Sequence, residues 1–274
     1  MSPSPPAGTG RGAQAAGFRT LRVSREPGIL RVALHRPERS NSIDPVLIAE
    51  LHAALDLAEA GEDCRLVVIE GSGGVFSTGM DLVDAGGSEL PDEASAREGA
   101  ERFLGLLRRF TTVPRIVVAK VDGQAAGGGV GLAAAADFVY ATERSRFSLP
   151  EALWGLLPCC VAPFLIRRTG FQKAYAMTLS TQPVDAQRAA SFQLVDEVAD
   201  DPEPLVRRLA FRSSKLDGTT LGDLKRYYRR QWFLTDEHER AAVEEFARLI
   251  TSDGVRARLE DFAQHQRLPW EARR

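Results

Sequence analysis

Apolar positions along this chain change their period several times, and each change marks an element. Short β-rich runs occupy Leu21 to Val23 and Ile29 to Leu34. A helix starts after Asp44-Pro45, because Asp accepts from the unpaired N–H groups of a first turn and Pro suits its opening position. Leu47, Leu51, Leu55 and Ala58 then recur at helical spacing and mark its buried face. Leu66 to Ile69 reads as a compact apolar strand, followed by a glycine-rich loop from Gly71 to Asp81. The acidic segment Glu89 to Arg97 reads as a mobile loop ahead of a helix whose Phe103, Leu104, Leu107 and Phe110 share one face. Pro114 resets the chain, and Ile116 to Val121 forms a second buried strand that ends in the turn Val121-Asp122-Gly123. From Gly127 the run GGGVGLAAAADFVYAT passes from loop to Ala-rich helix to strand, a transition that leaves backbone N–H groups unpaired at the helix start.

Strand and helix alternate to about Val198, and from Leu205 onward the pattern is helical and rich in Arg, Leu and aromatics. The recurring order of strand, loop and helix predicts an α/β fold of stacked units. Three parts are expected: a disordered lead-in over 1–18, rich in Pro, Gly and Ser, a core over 19–204, and a helical region over 205–274.

Composition narrows the function classes. A chain of 274 residues, 44% hydrophobic, can bury one large core. Lys+Arg at 35 against Asp+Glu at 37 leaves no basic excess, which argues against nucleic acid or an anionic membrane surface as the main partner. The longest apolar stretch, Ile116 to Tyr140, is interrupted by Lys120, Asp122 and Asp137, so no membrane span is expected. Cys64, Cys159 and Cys160 form no CxxC pair and no zinc spacing with the four histidines, so no metal site is expected and a reducing cytoplasm fits. The N-terminus lacks the apolar run of a signal peptide. Gly127, Gly128, Gly129 and Gly131 do not satisfy GxGxxG, and no GxxxxGK occurs, so no nucleotide cofactor is expected.

Three blocks, in order, carry a family resemblance. They are LHRPERSNSI over Leu34 to Ile43, GGVFSTGMDL over Gly73 to Leu82, and Val118 to Pro158 with VDGQAAGGGVGLAAAADF and FSLPEALWGLLP. Together they resemble the crotonase, or enoyl-CoA hydratase/isomerase, superfamily from about Arg19 to the C-terminus. The resemblance implies a spiral of ββα turns with a C-terminal helical trimerisation region, giving a homotrimer or hexamer. It also implies a substrate held as a thioester of coenzyme A or of phosphopantetheine on an acyl carrier protein, with no further cofactor.

By block matching, the backbone N–H groups of Met80 and Gly128 would form an oxyanion hole. Such donors stabilise the charge that develops on a thioester carbonyl when the neighbouring proton is removed. Read alone, these glycines also suit ordinary tight turns. Hydratases of the family carry two glutamates; here the first position is Gly131 and the second survives as Glu151, expected to be the general base. A plain helix-start charge is the other reading of Glu151. One carboxylate still supports syn elimination, taking the α-proton and returning it to the departing hydroxyl.

Asp81 is read either as a second acid or as a bond to its own loop, and Asp81, Gly131, Arg36 and Arg39 are candidate substrate or pantetheine contacts. The run from Gly155 to Val184, with Val161 and Ala162 where ordinary hydratases have paired glycines, together with LPWE at Leu268 to Glu271, resembles the dehydratases of polyketide β-branching cassettes. That resemblance implies a 3-hydroxy-3-methylglutaryl group on a carrier protein, dehydrated to 3-methylglutaconyl. A cation or several donors should then meet the far carboxylate, with Arg167 and Arg168 as candidates by sequence proximity, although a solvated pair suits them better. Arg36 and Arg39, or Lys225, Arg226, Arg229 and Arg230, could dock an acidic carrier. Cys159 and Cys160 read as apolar filler, and Trp154 and Phe147 as pocket or core walls. Alternatives are a CoA-dependent hydratase, isomerase or decarboxylase, and a non-catalytic acyl-carrier or RNA-binding member.

Overall fold

The computed structural model describes residues 17–82, 91–232 and 234–271. Most of the expected lead-in, residues 1–16, lies outside them, as does the start of the expected acidic loop.

A hairpin opens the fold: β1 (Leu21–Glu26) pairs antiparallel with β2 (Ile29–Leu34), Glu26 opposite Ile29. Helix α1 (Pro45–Ala60) follows, and Asp44 caps it by accepting from the N–H of Leu47. The chain then winds through three similar turns, each with a long strand, a short strand and a helix. The first is β3 (Leu66–Gly71), β4 (Val75–Ser77) and α2 (Glu93–Thr112). The second is β5 (Ile116–Val121), β6 (Gln124–Ala126) and α3 (Gly128–Ala135). The third is β7 (Phe138–Ala141), β8 (Arg146–Ser148) and the one-turn helix α4 (Glu151–Trp154). The rest comprises α5 (Ala162–Thr169), α6 (Phe171–Ser180), β9 (Val184–Asp185), α7 (Ala186–Ser191), β10 (Glu197–Val198), α8 (Glu203–Ser213), α9 (Gly218–Gln231), α10 (Asp236–Ile250) and α11 (Asp253–His265).

The long strands form one sheet, ordered β1-β2-β3-β5-β7-β10 and parallel beyond the hairpin; the short ones form a second, ordered β4-β6-β8-β9. This is the ββα spiral the resemblance implied. Parallel strands covered on both faces must be apolar throughout, and Leu66, Val67, Val68 and Ile69 are all fully buried. The acidic segment is not a loop from Glu93 onward, because Asp92 caps α2 by accepting from the Ser95 N–H. The boundary drawn after residue 204 falls inside α8. No described helix is long and apolar enough to cross a membrane.

The C-terminal helices close back on the core rather than standing apart. Ala247 and Ile250 of α10 and Val255 and Leu259 of α11 share one buried cluster with Trp154 and Leu156, and Leu268 packs against it. Trp270 meets the edge of Trp154 at 6.2 Å, so the LPWE tail lies against the element that carries Glu151.

Candidate active site

Two bends of the second sheet meet at one point. Gly79, after β4, has φ +82; a Cβ there would lie 2.7 Å from the Ala126 carbonyl and 2.9 Å from the Gly128 nitrogen. Only glycine permits both that backbone conformation and that approach. The following residue is held by a single bridge in which Ile43 N–H donates to the Gly79 carbonyl (2.7 Å) and Asp81 N–H to the Ile43 carbonyl (3.0 Å). Both bonds flank Met80, whose own N–H points away from Ile43. Gly128 is the first residue of α3, where an N–H has no partner within the helix. Among the described residues, neither the Met80 nor the Gly128 N–H donates a hydrogen bond.

Glu151 lies against the same bend. Its Oε1 is 3.2 Å from where a Cβ on Gly127 would stand, and its Oε2 is buried without a hydrogen-bond partner. Burial pushes its carboxyl up to about 7, since removal from water penalises the charged form and no cation compensates. This is the environment of a group that exchanges protons near neutral pH.

These groups line a cavity of about 380 Å³, walled by Ile43, Ile48, Met80, Phe103, Trp154, Leu156, Val161, Phe246 and Ile250. Such a size and apolar character suit an acyl chain. Trp154 walls this cavity, whereas Phe147 belongs to the core. Cys159 and Cys160 also line it; burial pushes their thiols up to about 11 and about 12, so neither is a nucleophile at neutral pH.

Several candidate contacts are otherwise engaged. The Asp81 carboxylate accepts from Arg39 Nη2 (2.7 Å) and Nε (3.1 Å), from Ser42 Oγ (2.8 Å) and from Arg36 Nη2 (3.3 Å), while Arg36 also pairs with Asp44 at 3.0 Å. Asp81, Arg36 and Arg39 therefore tie the first block to the Met80 bend, with Asp81 in the cavity wall and Arg39 partly exposed. Gly131 does not line the cavity. A Cβ there would meet Val161 Cγ2 at 2.8 Å and Leu107 Cδ1 at 3.4 Å, so the space a second glutamate needs is filled by hydrocarbon. Lys225 is not on the surface either: its ammonium bonds the Phe110 and Arg115 carbonyls and Asp137. Arg229 is half-buried and paired with Glu239, while Arg226 is exposed beside Asp223. Arg167 and Arg168 do not line the cavity and are not a freely solvated pair: both bond carbonyls at the end of α3, and Arg168 also pairs with Asp196. Among the described residues, no Lys, Arg or His lines the cavity.

Two positioning residues escaped the sequence reading. Asn41, fully buried with φ +52, donates to the Ser72 and Val75 carbonyls, and its own carbonyl accepts from the Ser77 hydroxyl. Ser77 Oγ in turn accepts from the Gly79 N–H at 3.2 Å. A buried amide in the loop after Arg39 was the available signal.

Known proteins resemble this chain in sequence and share its fold. The dehydratase PksH of bacillaene synthase from Bacillus subtilis is 32% identical over 210 residues, covering 77% of this chain and 80% of its own length. The 1,2-epoxyphenylacetyl-CoA isomerase of Escherichia coli is 31% identical over 178 residues, covering 64% of this chain and 68% of its own. The crystal structure of the pksH polyketide biosynthesis enoyl-CoA hydratase of B. subtilis superposes with a TM-score of 0.84 at 27% identity, over 92% of this chain and all of that one. The family model for enoyl-CoA hydratase/isomerase matches residues 24–273, and the chain belongs to that family.

Proposed function

We propose that this protein is a dehydratase that removes water from a β-hydroxyacyl thioester, with a 3-hydroxy-3-methylglutaryl group on an acyl carrier protein as the substrate and 3-methylglutaconyl as the product. The observation that carries the chemistry is Glu151: the one cavity carboxylate among the described residues with no ion-pair partner, set against the glycine bend where the Gly128 N–H, like that of Met80, donates no hydrogen bond. In this reading the thioester carbonyl accepts from the Met80 and Gly128 N–H groups. Glu151 takes the α-proton, the enolate forms in the hole, and protonated Glu151 returns that proton to the β-hydroxyl as water leaves. The filled space at Gly131 supports a one-carboxylate route, because no second acid can stand there. Similarity to the bacillaene dehydratase supports the polyketide setting.

Among the described lining residues no cation is available to the far carboxylate, and Thr78 and Ser95 are the ones that carry hydroxyls. Intact mass of the loaded carrier protein before and after incubation tests the proposal. Loss of one water is expected, Glu151→Gln abolishes it, and loss of carbon dioxide or full turnover by Glu151→Gln overturns it. A 3-hydroxybutyryl carrier run in parallel separates a need for the carboxylate from general β-hydroxyacyl dehydration.

A further inference from the structure

Helix α3 presents its first N–H groups to the site, and its other end is occupied by an unusual cation. Arg167 Nη2, on α5, donates to the carbonyls of Ala134 (2.9 Å), Ala135 (3.2 Å) and Ala136 (3.1 Å). Arg168 adds bonds to Ala136 (3.0 Å) and Asp137 (3.4 Å). Arg168 and Lys225 each have a carboxylate partner, Asp196 and Asp137. Arg167 has none within ion-pair distance among the described residues; its guanidinium lies 5.3 Å from the Trp232 ring centre, and the carboxylate that favours its charge from further off, Asp137, is already bound by Lys225. Burial lowers Arg167 to about 10, so it stays charged at neutral pH.

A largely buried cation with no carboxylate in contact is costly to keep unless something on the protein compensates it. Here the direct contacts are with the negative pole of α3, and Asp137 adds attraction at longer range. Whatever cancels that pole also strengthens the positive one. An eight-residue helix is about 12 Å long; with a hydrogen bond of about 3 Å at each end, the guanidinium and the enolate oxygen stand roughly 18 Å apart, and a unit charge at that distance in an effective dielectric near 20 changes an equilibrium about fivefold. We infer that Arg167 is a positioning residue for the oxyanion hole, fixing the axis of α3 and adding its charge to the field felt by the enolate oxygen. The same segment delivers Val161 against the side of this helix, so residues 158–168 set both its packing and its polarity.

The inference rests on the oxyanion-hole reading, and its test separates the two. Butyryl-pantetheine, labelled with 13C at the carbonyl and lacking a β-hydroxyl, binds without eliminating; its C=O stretch reports the field in the hole. In the wild-type protein the band should move to lower frequency on binding; if it does not, the hole itself is misassigned. Given that shift, Arg167→Gln should lose a measurable part of it and about fivefold in kcat, with KM within about twofold, because the neutral ground state feels the charge least. Arg167→Lys, which keeps the charge, should stay within about twofold of wild type in kcat. Leu165→Ala, uncharged and buried on the same helix, serves as a variant lowered in Tm without loss of charge, and its bound C=O band should match wild type. A wild-type band in Arg167→Gln, or equal band shifts in Arg167→Gln and Leu165→Ala, would overturn the inference.

Discussion

At the scale of single residues, Glu151 sets the pH behaviour. Its carboxyl sits at about 7 against an ordinary value of 4.5, from burial alone. Proton abstraction requires the ionised form, so kcat/KM for dehydration should rise with pH and level off above about 7. A flat profile between pH 5 and 9 would show that Glu151 is not the base. The same shift has a stability consequence of opposite sign. The native state holds this proton more tightly than the unfolded chain, so stability is greatest below the ordinary carboxylate range and falls as pH rises from about 4.5 to about 7. The full penalty is on the order of 3 kcal/mol. Glu151→Gln should therefore be inactive yet gain stability over wild type as pH rises, with denaturation midpoints close at pH 4.5 and separated at pH 8. Equal midpoints at pH 8 would contradict the burial account.

At the scale of elements, the departure from the two-glutamate pattern lies in how α3 meets α5. Val161 fills the volume beside Gly131, so adding a glutamate alone overpacks a closed contact instead of restoring a second acid. Gly131→Glu should lower stability by about 1–3 kcal/mol, and pairing it with Val161→Gly should recover most of that loss, read as urea midpoints. No recovery in the double variant would place the clash elsewhere. How legible all this was varies by residue. The Asp44-Pro45 start and the glycine bends at Gly79 and Gly127 were readable because capping and positive φ are local properties. Arg167 was not: its partners are carbonyls of Ala134 to Ala136, and no side-chain pattern marks a carbonyl. Lys225 misled for the same reason, since a helical stretch rich in Arg and Lys reads as solvated until packing drives one ammonium under Asp137.

At the scale of the whole molecule, the helical region leaves apolar surface that the described residues do not cover. On α9, Leu224, Tyr227 and Tyr228 fall at spacings of three and four and are 46%, 60% and 68% exposed, with Phe211 of α8 at 66%. A second stripe runs along α6 through Phe171, Tyr175 and Leu179. Single exposed apolar residues are ordinary, but clustered aromatics of this size mark contact surfaces. The trimer implied by the resemblance supplies an occupant for the α9 face, namely another copy of the chain. Light scattering should then give the mass of three chains or a multiple of it. Tyr227→Asp with Tyr228→Asp should release monomers, because two carboxylates cannot be desolvated against an apolar partner without large cost. If the stripe on α6 carries the association instead, Phe171→Asp will dissociate the assembly and the tyrosine pair will not. A wild-type protein that stays monomeric at high concentration removes the trimer altogether, while the site, built here from elements of a single chain, would remain intact.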